Sequence, residues 1–165
     1  MAATDEFLRT VRPFARFADA DLAPLARRLH ARRLRAGHVL LHEGDPGAQM
    51  YFVRRGELAI VKEVTGGVEQ VLARVGVGEF VGEMSLVDHR PRSATIRAET
   101  ETDLLVLDRA AVAALIRDNP AAAAVFLRAL AEEFIARLRR SNALIAELTC
   151  AVLEATGFQV EALDL

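Results

Sequence analysis

Nine of the ten glycines in this chain lie between Gly37 and Gly82, and that clustering confines the middle of the molecule to short elements joined by tight turns. Glycine weakens a helix interior and reaches the positive φ of sharp turns without a Cβ clash. Between the glycines run His38–His42, Met50–Arg55, Glu57–Val64 and Val68–Val75, rich in β-branched and aromatic residues, and these read as strands. Ser93–Ala98 and Asp103–Asp108 add two more. Gly66-Gly67 predicts a two-residue hairpin turn. Many short strands at this spacing predict a mainly β fold, a small antiparallel barrel or jelly roll.

Both flanks change period from two to 3.6. Asp19 or Asp21 is expected to cap a helix whose apolar positions are Leu22, Leu25, Ala26 and Leu29, with Arg27 and Arg28 on its other face. Asp108 is expected to cap a short helix through Val112, Leu115 and Ile116 that Asn119-Pro120 ends, Asn119 then capping a last helix that opens on Pro120. In that helix Leu127, Ala131, Phe134, Leu138, Ser141, Ile145, Leu148 and Val152 follow the 3.5-residue period of a two-helix seam. The stripe either packs on the barrel or pairs with a second copy. Its run of more than three heptads and the polar Ser141 within it favour a homodimer, and a helix about 50 Å long is expected to project beyond a small barrel.

Composition narrows the function classes. The chain has 165 residues, a net charge of −2 and a single cysteine, Cys150. One folded domain, no internal disulfide and a reducing, cytoplasmic setting are expected, and no large basic surface for nucleic acid. The longest apolar runs fall far short of the roughly 20 residues of a membrane span, and the acidic start, Asp5-Glu6, lacks the apolar run of a secretory signal. His38, His42 and His89 do not have metal-ligand spacing, and no nucleophile–base constellation is visible, so neither a metal site nor an enzyme is expected.

The stretch with chemical content runs from Gly78 to Arg97. Gly82 permits a sharp turn or a close approach to a ligand, and Glu83-Met84-Ser85-Leu86 is long enough for one helical turn whose free N–H groups suit an anion. Arg92-Ser93 then offers a guanidinium and a hydroxyl, donors suited to phosphate oxygens. Glu83 would repel a bare phosphate, so its presence implies a ligand that also carries donors, such as sugar hydroxyls. Taken singly, Glu83 and Arg92 also read as a mutual salt bridge and Gly82 as a barrel corner.

Phe80-Val-Gly-Glu-Met-Ser-Leu86 followed by Arg92-Ser-Ala-Thr-Ile96 resembles the phosphate-binding cassette of the cyclic nucleotide-binding domain family. The likeness extends to Gly37, to Glu43-Gly44-Asp45 and to Phe52–Leu58, covering about residues 15–150. It implies a double-stranded β-roll with an N-terminal helical segment (1–31), the roll itself (32–108), B and C helices (109–153) and a short tail (154–165). It further implies that Glu83, with Gly82, meets the ribose 2′-hydroxyl. Arg92, Ser93 and the backbone N–H groups of Met84 and Ser85 would hold the cyclic phosphate. Leu72 and Val81 would serve as apolar walls, and Ser141 and Asn142 would face the base. The ligand implied is cAMP, ahead of cGMP, with no other cofactor.

Relatives of the catabolite activator type continue into a helix-turn-helix domain, whereas about a dozen residues follow Val152 here. Direct DNA binding is therefore not expected, and the output is expected to pass to a separate effector protein. A dimeric scaffold with a vestigial pocket is the alternative reading; an enzyme acting on cyclic nucleotides is a third.

Overall fold

The computed structural model describes residues 2–88 and 90–156. Among the described residues eight strands form two antiparallel sheets: β1 (His30–Leu34), β2 (Val39–Leu41), β3 (Gln49–Arg55), β4 (Leu58–Glu63), β5 (Glu69–Val75), β6 (Phe80–Val81), β7 (Thr95–Ala98) and β8 (Thr102–Asp108). One sheet has the order β1-β8-β3-β6 and the other β2-β7-β4-β5. Helices flank them: α1 (Ala2–Thr10), α2 (Asp19–Ala26), the one-turn α3 (Met84–Val87), α4 (Arg109–Asp118) and α5 (Pro120–Thr156). The β-roll with helical flanks expected from the sequence is the fold found.

The continuous apolar run Met50–Val53 follows from β3 being buried on both faces. Alternation sends Tyr51 and Val53 inward, where they meet Leu34, Leu40, Leu58, Val81, Ile96, Leu104 and Val106. On the other face Phe52 packs at 5.1 Å from Phe14 and 6.0 Å from Phe80 between ring centroids, and Phe14 stacks on Phe126 at 5.4 Å. Edge strand β5, paired among the described residues with β4 alone, is exposed along nearly its whole length.

The chain divides into two compact units, up to Phe126 and from Leu127 onward, so α4 and the start of α5 belong to the first. Asp108 caps α4 as expected, its carboxylate accepting from the Ala111 N–H at 2.7 Å, and Asn119 caps α5 through the Ala122 N–H at 3.0 Å. In the second unit the seam positions Leu138, Ser141, Ile145, Leu148 and Val152 are exposed, Ile145 to 61%.

Five details differ from the sequence reading. The turn between β4 and β5 holds three residues, Thr65–Gly67, closed by the Val64 N–H on the Val68 carbonyl at 2.8 Å; both glycines keep the positive φ that was expected, at 82° and 78°. Neither Asp19 nor Asp21 caps α2: the N-cap is Ala18, and both carboxylates lie in the first turn, Asp19 paired with Arg9 and Asp21 accepting from Asn119. That helix stops at Ala26, leaving Leu29 outside it. In α4 the buried positions are Ala111 and Ala114, small enough for close packing, while Ile116 is exposed. Finally, β1 carries no strand signal of its own, and its register on β8 makes it a strand, from His30 opposite Val106 to Leu34 opposite Thr102.

The caps give a direct contrast. In urea unfolding, Asp108→Ala is expected to lose about 1 kcal/mol and Asp108→Asn only a few tenths. Asp19→Ala, which removes no cap, is expected to stay within about 0.5 kcal/mol of the parent.

Candidate functional site

The site grows from the junction of three segments of the first unit: the loop between β2 and β3, the stretch Gly82–Val87, and Arg92 ahead of β7. Main-chain bonds fix the loop against Arg92, whose N–H donates to the Asp45 carbonyl at 2.8 Å and whose carbonyl accepts from the Gly44 N–H at 2.9 Å. The Arg92 side chain is 6% exposed. Its Nη1 donates to the Gly82 carbonyl at 2.8 Å and its Nη2 to the Gln49 carbonyl at 2.9 Å. The guanidinium also lies 6.0 Å from the centre of the Tyr51 ring, whose hydroxyl donates to Gln49 Oε1 at 2.8 Å. Among the described residues its buried Nε has no hydrogen-bond partner.

Removal from water opposes the charged form and pushes the Arg92 guanidinium below its ordinary value. Tyr51, Glu83 and Asp45 act in the opposite direction, and the nearby positive charge of Arg109 adds to the lowering. The site is therefore a buried cation with acidic neighbours, on one wall of a cleft of about 720 Å³ that Leu41, Pro46, Tyr51 and Arg109 also line.

Two glycines make room for that cation. Gly82, at φ 79°, would with a Cβ press to 2.8 Å from Arg92 Nη1 and 2.9 Å from the Gln49 carbonyl oxygen. The close approach anticipated at Gly82 is thus to the arginine itself. At Gly47 a Cβ would sit 2.6 Å from the Ser85 Cβ and 2.7 Å from Arg92 Cζ, so loop, helix and guanidinium meet there with no spare volume.

Of the residues the sequence marked, the structure brings together Gly82, Glu83, Met84, Ser85, Arg92 and Ser93. Glu83, at the N-terminal boundary of α3, and Ser85 are both buried, while Met84 is about half exposed. The Ser93 hydroxyl donates to the Met84 sulfur at 3.7 Å. Val81 belongs to the interior cluster and Leu72 is exposed on β5. Ser141 and Asn142 are exposed on α5 in the second unit.

Sequence reasoning did not mark Gly47, Gln49, Tyr51 or Arg109. The last donates through Nη2 to the Gly47 carbonyl at 2.8 Å and to the Ser85 carbonyl at 2.5 Å. Backbone acceptors leave no signature in a sequence, and only the clustering of glycines hinted at Gly47. Among the described residues no group of three or more His, Cys, Asp or Glu is placed to hold a metal. His89 lies outside the described residues. No described helix is long and apolar enough to cross a membrane.

The crowding at Gly47 is testable alone. Gly47→Ala is expected to cost about 2 kcal/mol in urea unfolding through overpacking. In a Ser85→Gly background the cost is expected to shrink; additive losses would contradict the contact.

Residues 31–119 match the family pattern described as the cyclic nucleotide-binding domain. A CRP-like cAMP-activated global transcriptional regulator of Mycobacterium tuberculosis is 31% identical over 144 residues, 87% of this chain and 62% of the regulator, so the chain spans less than two thirds of that relative. Among solved structures, a cyclic nucleotide-binding domain from Methylobacillus flagellatus superposes with a TM-score of 0.82 at 28% identity, covering 98% of this chain and 87% of the other. The N-terminal domain of a transcriptional regulator from Streptomyces coelicolor gives 0.71 at 37% identity, covering 84% and 94%.

Proposed function

This chain belongs to the cyclic nucleotide-binding domain family, and on that premise we propose that it is a cytoplasmic regulatory protein that binds a cyclic purine nucleotide, cAMP in preference to cGMP. The observation that carries the reading is the buried Arg92 beside Gly82, Glu83 and Ser85. A guanidinium has five N–H donors, and two of Arg92's rest on backbone carbonyls, so donors remain for an anion.

In this reading Arg92, the Ser93 hydroxyl and the backbone N–H groups of Met84 and Ser85 hold the cyclic phosphate. Glu83, next to Gly82, accepts the ribose 2′-hydroxyl. A carboxylate beside a phosphate is tolerable because the ligand brings a donor for it. Leu72, exposed on β5, supplies apolar contact, whereas Val81 lies in the interior cluster. The protein acts as a binding regulator without a catalytic step, and its output is a ligand-dependent rearrangement of the C-terminal helices that a separate effector protein recognises. The exposed apolar stripe of α5, with Ser141 within it, supports a homodimer through that helix.

Calorimetric titration with cAMP and cGMP tests the reading. cAMP is expected to bind more tightly than about 100 μM, and Arg92→Ala is expected to weaken it about 10- to 100-fold, since hydrogen bonds to a charged group contribute about 1.5–3 kcal/mol. Weaker binding of both nucleotides by the parent, or an unchanged affinity in the variant, would contradict it.

A further inference from the structure

Arg32 lies on edge strand β1 opposite Leu104 of β8, and two residues before Leu34. Leu104 and Leu34 both belong to the interior cluster, so strand alternation turns the Arg32 side chain toward the same inner side of the roll. The arginines around it are held by acids: Arg33 donates to Asp103 and Arg55 to Glu101, each at 2.6 Å. Arg32 has no hydrogen bond or ion pair among the described residues. Its exposed guanidinium lies instead 5.9 Å from the centre of the Tyr51 ring.

That ring is the one that Arg92 approaches at 6.0 Å, and it lines the same cleft as Arg92. An anion seated on Arg92 is therefore separated from Arg32 by no more than one aromatic side chain. The contacts assigned above engage the phosphate and the ribose and leave the base with apolar contact alone. A purine presents a flat π face, and a planar guanidinium stacks on such a face as it does on tyrosine. Moving from one face to the other costs Arg32 no hydrogen bond or ion pair, because it has none to give up.

We propose that Arg32 is a ligand-contacting residue whose guanidinium passes from the Tyr51 ring onto the face of the nucleotide base. The proposal rests on the reading of Arg92 and its neighbours as a cyclic nucleotide site. Stacking engages the π face that every base has, so Arg32 adds affinity without choosing between adenine and guanine.

Nuclear Overhauser contacts on the full chain, beside calorimetric titrations, test it. Tyr51 is the single tyrosine of the chain, so its ring signals are unambiguous. In the free protein the Arg32 side-chain protons are expected to contact the Tyr51 ring, and in the cAMP complex to contact adenine H2 or H8 instead. Arg32→Met is expected to weaken cAMP and cGMP alike, by about 5- to 20-fold. Arg32→Lys, which keeps the charge without the planar face, is expected to stay at least about threefold weaker than the parent. The magnetic resonance arm needs no variant and decides the matter should the substitutions disturb β1. An Arg32–Tyr51 contact that persists in the complex overturns the proposal while leaving the nucleotide site standing. So does an affinity that Arg32→Met leaves unchanged, full recovery in Arg32→Lys, or a loss confined to one purine. A parent that binds neither nucleotide overturns the reading of the site and this proposal together.

Discussion

Burying a guanidinium is costly unless its donors and its charge are compensated, and the seat of Arg92 is built around that cost. The carbonyls of Gly82 and Gln49 receive its Nη groups, Glu83 and Asp45 supply favourable field, and the main chain of Arg92 clasps Gly44 and Asp45. Each contact fixes something else. Residue 82 cannot carry a Cβ because the guanidinium is there, and residue 47 cannot because Ser85 and Arg92 leave no volume. Seated this way, the cation has little conformational freedom left to lose on meeting the anion of the proposed ligand.

The roll supplies the rigidity. With β3 buried on both faces, its inner residues form the interior cluster, and Phe52 on its outer face ties it to Phe14 and, at one remove, to Phe126. Gln49, whose carbonyl takes one Nη of Arg92, is the first residue of that strand, so the cation is anchored to a strand whose next four residues are all buried. The edge strand β5 and the second half of α5 have the opposite character, exposing Leu72 and the Leu138–Val152 stripe. Rigid recognition and exposed apolar surface thus occupy different parts of the molecule.

How much of this was legible in the sequence depended on whether a feature was local. The strands around the glycine block, the caps Asp108 and Asn119, and the Gly82–Ser93 cassette were readable because period, turn chemistry and motif each lie within a few residues of one another. β1 was not, since His30-Ala-Arg-Arg-Leu34 has no alternating apolar pattern and is a strand only because β8 pairs with it. Asp19 and Asp21 were misleading because two carboxylates near a helix start compete for the same reading, and pairing with Arg9 and Asn119 engages both away from the cap. Gly47 and Arg109 escaped notice because their partners lie far along the chain and are mostly backbone atoms.

The central claim, a buried arginine and a neighbouring glutamate that together recognise a cyclic ribonucleotide, is tested most directly by thermal unfolding with cAMP and with its 2′-deoxy counterpart. At a concentration about 100 times its dissociation constant, cAMP should stabilise the fold by about 2.7 kcal/mol, raising Tm by about 5–10 °C for a chain of this size. The 2′-deoxy compound at the same concentration should give a distinctly smaller rise, because Glu83 loses its donor. A Tm unmoved by millimolar cAMP or cGMP, or moved equally by the deoxy compound, would contradict the account.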